Sequence, residues 1–257
     1  MTRKADIDRR RFITRIVGGI SALSLTGCDR LSQSEWFPRV LSSVEGLNNR
    51  LHHAIISRNA LAREYTEADL SPHFPTNGTS NPNNPSYQAL AQNEFTDWRL
   101  KVGGLVRRPS SFSLTQLREL PSRTQITRHD CVEGWSAIAK WKGAKLSELL
   151  ARVWPLSRTR YVVFYCADPM DTTGKKYYES IDFNDAYHPQ TILAYEWNDQ
   201  TLPVGYGAPI RLRLERQLGY KMAKYVMRIE LVDSLAHIAG GNGGYWEDQG
   251  YEWYAGI

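Results

Sequence analysis

The sequence predicts an α+β domain built on mixed sheets. Segments with the pattern of strands outnumber segments with helical spacing, and the two kinds do not alternate regularly, as they would in a doubly wound fold. The 14 tyrosines, 8 tryptophans and 19 glycines favour strands, turns and aromatic contact surfaces over a helical bundle. At 257 residues the chain is long enough to bury a sizeable hydrophobic core.

An export signal is expected at residues 1–27. The arginine-rich stretch DRRRFI resembles a twin-arginine signal, and the apolar run at residues 16–25 is too short to span a bilayer, which needs about 20 apolar residues. The stretch LTGC, which ends on Cys28, resembles a lipobox whose cysteine becomes lipidated. We therefore expect export in the folded state and a lipid anchor on the periplasmic side of the inner membrane. The alternative is a basic amphipathic segment without a targeting role.

The positive charge of the chain lies mainly in this signal. Residues 1–27 contain six arginine or lysine residues and two aspartates, so they carry +4 of the formal net charge of +5. The rest of the chain is therefore close to neutral. A nearly neutral domain argues against a nucleic-acid partner.

A polar tether is expected at residues 28–70. Apolar residues from Val40 to Leu51 recur at helical spacing and predict one short amphipathic helix in it. The domain is assigned to residues 71–257, and it opens with a loop rich in Pro, Asn and Gly at residues 71–87. No regular element is expected in that loop, which is either a plain linker or a functional loop.

Two strands and two helices are expected in the first half of the domain. The stretch WRLKVGGLV alternates like a strand, and SLTQLREL begins with a good helix N-cap at Ser113. TQITRHDC is the next strand and ends on Cys131. KLSELLARV repeats apolar residues at helical spacing and predicts the second helix.

Four further strands are expected in the second half. RYVVFYCA is an apolar run of the kind that forms a buried strand, and it ends on Cys166. TILAYEW is closed by the turn residues Asn198 and Asp199. APIRLRLE and AKYVMRIELV follow as the last two strands.

Cys131 is a cysteine in an unusually polar stretch, RHDCVEGWS, just before Gly134. It is a disulfide partner of Cys166, a nucleophile, a metal ligand or a buried thiol. A Cys-His-Asn protease signature, a zinc-type cluster, a haem attachment motif and phosphate-binding glycine loops are all missing. His129 falls on the same strand face as Cys131 and is either a partner of a bound anion or an ordinary histidine. A single thiolate binds a metal only where an organic cofactor or another source supplies most of the ligands.

A second group of candidate residues is cationic. Arg211 and Arg213 share one strand face, and Lys221 and Lys224 follow beside glycines. Cations and backbone amides in such a setting hold anions such as phosphate. The alternative is a solvated strand face.

Four stretches resemble the molybdopterin-binding oxidoreductases of the sulfite oxidase superfamily: HDCVEGWS, LPVGYGAPIRL, GYKMAKYVMRIELV and the terminal GYWEDQGYEWYAGI. The resemblance covers residues 70–257 and is greatest to the exported bacterial members that lack haem, among them a methionine sulfoxide reductase. It implies an α+β, mixed-sheet sulfite oxidase-type domain with a Mo-molybdopterin cofactor. It also implies that Cys131 is the sole protein ligand to molybdenum. The cofactor contacts that it implies are Asn77, Ser80, Cys166, Arg211, Met222, Ala223 and Lys224. Tyr206 departs from the Asn or His that the family commonly has before Gly-Ala-Pro.

The resemblance implies an enzyme that transfers an oxygen atom between a small-molecule substrate and the metal. Reduction of an S-oxide or N-oxide is the first expectation, and oxidation of sulfite to sulfate is the alternative. Because the chain has no haem motif of its own, a membrane cytochrome is the expected redox partner, with the tether on Cys28 keeping both on one surface. The alternative from another class is a cofactor-free periplasmic lipoprotein that binds a ligand, with Cys131 bonded to Cys166.

Overall fold

The computed structural model describes residues 60–257 together with Ser34, Trp36 and Phe37. The expected export signal and the expected helix between Val40 and Leu51 lie outside the described residues. The chain divides into two compact units, Met1–Ile55 and Ile56–Ile257. In the first unit, the Phe37 N–H donates to the Ser34 hydroxyl at 3.3 Å. All elements named below belong to the second unit.

Ten strands and four short helices form this unit within the described residues. The strands are β1 Arg99–Gly104, β2 Ser110–Ser113, β3 Ser122–Asp130, β4 Ser136–Lys145, β5 Tyr161–Pro169, β6 Lys176–Asp182, β7 Ile192–Trp197, β8 Gln200–Thr201, β9 Arg211–Arg213 and β10 Val226–Val232. The helices are α1 Pro85–Gln92, α2 Leu114–Arg118, α3 Leu146–Val153 and α4 Phe183–Ala186. Single 3-10 turns lie at Glu67–Asp69, Val204–Tyr206, Gly219–Lys221 and Glu247–Gln249.

The strands form two sheets. The first has the order β2-β1-β10-β5-β6, in which β1 runs parallel to β10 and the other neighbours are antiparallel. The second has the order β3-β4-β7-β8, with β9 also paired to β7, and is antiparallel throughout. A mixed sheet with few, short helices confirms the predicted α+β class.

The expected helices and turns form for the physical reasons that predicted them. Ser113 caps α2, where its hydroxyl accepts from the Gln116 N–H while the Gln116 side chain accepts from the Ser113 N–H. The four apolar residues of α3 are all buried, which is the one-sided pattern of an amphipathic helix. Asn198 and Asp199 both have positive φ, at 47° and 61°, as a two-residue hairpin turn requires.

Several elements differ from the sequence-based expectation. Strands β4 and β6 and helix α1 were not predicted. Helix α1 begins inside the loop of residues 71–87, because Asn84 caps it and Pro85 occupies its first turn. Strand β5 continues past Cys166, and β9 is only three residues long.

Residues 60–70, assigned to the tether from the sequence, lie along the body of the second unit. The Tyr65 N–H donates to the Ile126 carbonyl at 2.9 Å, and the Ala62 N–H donates to the side chain of Gln190 at 2.8 Å. This segment therefore covers one end of strand β3. In the described part of the chain, no helix combines the length and apolarity needed to cross a membrane.

Candidate active site

Cys131 lies where strand β3 turns back into β4. The Cys131 N–H donates to the Trp135 carbonyl at 2.9 Å, and the Gly134 N–H donates to the Cys131 carbonyl at 3.0 Å. Gly134 has a φ of +89°, a conformation that closes this tight turn and that glycine adopts at little cost. The turn holds the Cys131 side chain, only 8% exposed, against a cavity of about 170 Å³.

The cavity gathers residues from five separate parts of the chain. Three predicted cofactor contacts, Asn77, Met222 and Lys224, line it together with Cys131. The remaining lining residues were not predicted: Gly78, Thr79, Val132, Glu133, Asp168, Met170, Tyr177, Gly219, Tyr220, Trp246 and Tyr251. Trp246 and Tyr251 belong to the terminal stretch on which the family resemblance partly rests, and that stretch was the one signal available for finding them.

The other predicted contacts do not line this cavity. Cys166 lines a neighbouring cavity of about 630 Å³, and both Cys131 and Cys166 are free thiols. The alternative of a Cys131–Cys166 disulfide is therefore wrong. Ala223 is buried behind the cavity wall, where its carbonyl accepts from the Leu212 N–H at 2.8 Å. Ser80 follows Thr79 in the loop at the cavity edge.

Lys224 ties this loop to the body of the domain. Its ammonium group donates to the carbonyls of Asn77 at 2.7 Å, Thr79 at 2.5 Å and Gly205 at 3.1 Å. Burial, with Arg211 as the nearest like charge, lowers the pKa of Lys224 to about 7, whereas three carbonyl acceptors match the three N–H donors of the charged form. We therefore take Lys224 as an ammonium group at neutral pH. The loop is a docked wall of the cavity and not a plain linker.

Arg211 is a buried cation without a counter-ion. It is fully buried, its Nη1 donates to the Tyr206 carbonyl at 3.1 Å, and its Nε has no partner. Among the described residues no carboxylate forms an ion pair with it, whereas its neighbour Arg213 pairs with Glu215 at 2.6 Å. Burial, followed by the charge of Arg213, lowers the pKa of Arg211 to about 9. The alternative of a solvated strand face is wrong, and an unpaired buried guanidinium is suited to an anionic ligand.

His129 is a neutral, buried imidazole beside this group. Because Arg213 Nη1 can only donate, its 3.0 Å contact makes His129 Nδ1 an acceptor and places the ring proton on Nε2, which has no partner. Burial and the nearby charge of Arg213 lower the pKa of His129 well below its usual value. A β-carbon at Gly219 would overlap the imidazole, so the close approach explains why glycine occupies that turn.

Asp168 adds an acid to the cavity wall. Its side chain is buried and its Oδ1 has no hydrogen-bond partner. Burial raises the pKa of Asp168 to about 6, against 3.8 for an exposed aspartate. The carboxyl is therefore partly protonated in mildly acidic solution.

Replacing Asp168 by asparagine is expected to flatten the pH dependence of unfolding of the cofactor-free protein. Because the folded-state pKa is raised, the stabilisation from this carboxyl is fully present below pH 3.8 and is lost as pH rises through about 6. The wild type should lose up to about 3 kcal/mol more than the variant over this range, at about 1.4 kcal/mol per pKa unit. Urea titrations at about pH 4 and about pH 8 measure the difference. Asp233→Asn, in an exposed ion pair, is the control, and equal slopes for wild type and Asp168→Asn would contradict the raised pKa.

The donors present at the cavity suit an anionic cofactor that brings its own metal ligands. In the part of the chain that the structure describes, no group of three or more His, Cys, Asp or Glu side chains lies together as a metal site. Cys131 offers one sulfur, and Arg211 offers an unpaired positive charge with a free donor nearby. A mixed-sheet α+β domain with this site has the build of a cofactor-dependent oxidoreductase.

Sequence comparison identifies the family. The family described as "Oxidoreductase molybdopterin binding domain" matches residues 87–237, more than half of the chain. The chain belongs to this family, within the sulfite oxidase superfamily, and is a molybdopterin-dependent oxidoreductase. The predicted family, cofactor and enzyme class are therefore confirmed.

Two curated relatives cover most of the chain. A protein of Azospira oryzae named putative protein-methionine-sulfoxide reductase subunit YedZ1 is 38% identical over 250 residues, which is 96% of this chain and 87% of the relative. The protein-methionine-sulfoxide reductase catalytic subunit MsrP of Xanthomonas campestris pv. campestris is 30% identical over 241 residues, 90% of this chain and 72% of the relative. Among solved structures, the sulfane dehydrogenase SoxCD of Paracoccus pantotrophus matches with a TM-score of 0.48 and 22% identity, over 54% of this chain and 39% of its own.

Proposed function

We propose that Cys131 is the single protein ligand to molybdenum and that the residues around its cavity hold the molybdopterin. The proposed cofactor contacts are Asn77, Ser80, Cys166, Arg211, Met222, Ala223 and Lys224. The unpaired charge of Arg211 supports this set, because a phosphate-bearing cofactor supplies the missing anion. Asn77, Met222 and Lys224 share a cavity with Cys131, whereas Ser80 and Cys166 belong to the set by family resemblance alone.

The bound molybdenum centre supplies two-electron transfer of an oxygen atom. The chain's own residues exclude bulk water and orient the substrate. Cys131 is almost fully buried, and Val132, Trp246 and Tyr251 form an apolar and aromatic wall beside it. Lys224 holds the loop that closes the opposite side.

The direction that we propose is reduction of a neutral S-oxide, with the overall balance R₂SO + 2H⁺ + 2e⁻ → R₂S + H₂O. The charge of the cavity wall carries this choice. No arginine is among the residues that line the cavity, all of which are described, and the one lysine directs its donors to backbone carbonyls. Glu133 and Asp168 face the same space. Such a wall suits an uncharged S-oxide better than the sulfite anion, and a thioether product suits the apolar side chains. The two curated relatives also carry methionine sulfoxide reductase names.

Substrate competition tests the proposed direction. The purified, molybdenum-loaded protein is given reduced viologen with methionine sulfoxide, a sulfoxide-containing peptide or an N-oxide, and separately ferricyanide with sulfite. We expect viologen oxidation with the sulfoxides, and none of these activities in Cys131→Ala. Sulfite-dependent reduction of ferricyanide without sulfoxide turnover would overturn the proposal.

We further propose that the protein works on the periplasmic side of the inner membrane, tethered through Cys28 and reduced by a membrane cytochrome. The twin-arginine-like and lipobox-like stretches of residues 1–28 support this placement. Mass spectrometry of the mature N-terminus should find a lipidated Cys28 in the membrane fraction. Cys28→Ala should release an active enzyme into the soluble periplasm, and an unmodified Cys28 in a cytoplasmic protein would contradict the placement.

A further inference from the structure

A buried charge cluster lies next to the Cys131 cavity. Lys221 is fully buried, and its ammonium group donates to Glu179 Oε1 at 2.5 Å and to Glu247 Oε1 at 2.6 Å. Both carboxyl side chains are fully buried in these ion pairs. Two carboxylates against one cation leave an excess negative charge in a water-free environment. A proton on one carboxyl removes that excess.

The hydrogen bonds place this proton on Glu179 Oε2. Glu179 Oε1 already accepts from Lys221 and from the Ser180 N–H at 2.8 Å. Oε2 instead lies 3.5 Å from the Tyr177 hydroxyl oxygen. Burial raises the pKa of Glu179 well above its usual value, and Glu247 adds to this while Lys221 opposes it. The other ionisable groups that act on this site from the neighbouring strands are Tyr177, Cys166 and Asp168.

Tyr177 connects the cluster to the cavity. Its hydroxyl donates to the Tyr220 carbonyl and lies beside Glu179, while its side chain lines the cavity that contains Cys131. Burial raises the pKa of Tyr177 well above its usual value, so the phenol keeps its proton at neutral pH. A phenol between a carboxylic acid and a cavity can accept one proton as it donates another.

We propose that Glu179 and Tyr177 form a proton relay into the Cys131 cavity. The inference rests on the proposed S-oxide reduction, which consumes two protons and two electrons for each water formed. The redox partner supplies the electrons. Glu179 Oε2 passes its proton to the Tyr177 oxygen as the Tyr177 O–H proton moves into the cavity toward the departing oxygen, and cavity water provides the second proton. Between turnovers Glu179 regains its proton from cavity water by the reverse route.

The relay is tested with Tyr177→Phe, which removes one oxygen atom and leaves Lys221 and both carboxylates in place. We expect kcat to fall by about 100-fold, the low end of the effect of a positioned proton donor, with little change in KM and a larger solvent deuterium isotope effect. The matched control is Tyr178→Phe on the same strand, because the Tyr178 hydroxyl bonds Asp248 and lines the neighbouring cavity instead. Wild-type kcat and isotope effect in Tyr177→Phe would overturn the relay.

Infrared spectroscopy supplies a readout that needs no turnover. The resting protein should show the C=O band of a protonated carboxylic acid that shifts in D₂O, is retained in Tyr177→Phe and is lost in Glu179→Gln. Absence of such a band at neutral pH would overturn the relay even if sulfoxides are reduced. Should the wild type oxidise sulfite instead, the proposed direction is wrong, and the same variants then test the relay on the protons that leave.

Discussion

Replacing Cys131 by alanine is expected to abolish molybdenum binding and activity while leaving the fold intact. The Cys131 thiol is the one sulfur on its cavity wall able to become a thiolate ligand, since Met170 and Met222 offer only thioethers. The turn around Cys131 is held by backbone hydrogen bonds to Trp135 and Gly134, and these survive the substitution. Activity should fall by more than ~100-fold, because loss of even an outer-shell partner of a metal ligand reaches that value.

Metal analysis, circular dichroism and sulfoxide turnover on one preparation measure this result. The contrasting variant is Cys166→Ala, which removes a buried thiol of the same size from the neighbouring cavity. It should retain molybdenum, since Cys166 does not line the Cys131 cavity. A fully loaded and active Cys131→Ala protein would show that the metal is held without this sulfur.

The fold could be predicted where one face of an element is buried and the other is polar. Helix α3 and strand β10 show such periodicity, and both were predicted. Strand β6 was missed because its polar residues are buried: Glu179 and Ser180 are fully buried within it. A strand whose interior positions hold charges satisfied by distant partners has no alternating pattern to detect.

The candidate site could be predicted where a local motif carries it. Cys131, Met222 and Lys224 belong to such stretches and were found from them. Asp168 and Tyr177 come from strands β5 and β6 with no motif around them, and only the folded sheet brings them to the cavity. The missing counter-ion of Arg211 is also a three-dimensional property, because the sequence shows Glu215 near both arginines and only the structure assigns it to Arg213.

Substituting Arg211 and Arg213 by methionine should have opposite effects on the cofactor-free protein. Arg211 is a buried charge without a carboxylate partner among the described residues, so an apolar side chain beneath Trp141 removes a desolvation penalty. We expect Arg211→Met to raise the free energy of unfolding by about 1–3 kcal/mol, after the loss of the hydrogen bond to the Tyr206 carbonyl. Arg213→Met leaves Glu215 buried and unpaired and should lower it by about 3–5 kcal/mol.

Cofactor loading then separates a functional charge from a structural one. Arg211→Met should be a more stable protein that binds molybdopterin poorly, because the removed charge is the one that an anionic ligand would neutralise. Chemical denaturation of both variants without cofactor, and molybdenum and pterin content after expression in a cofactor-producing strain, measure the two properties. Stability gained together with cofactor lost is the combination that a purely structural arginine cannot produce. Normal loading of Arg211→Met would remove the arginine from the site, and a large loss of stability would mean that the described structure misses its counter-ion.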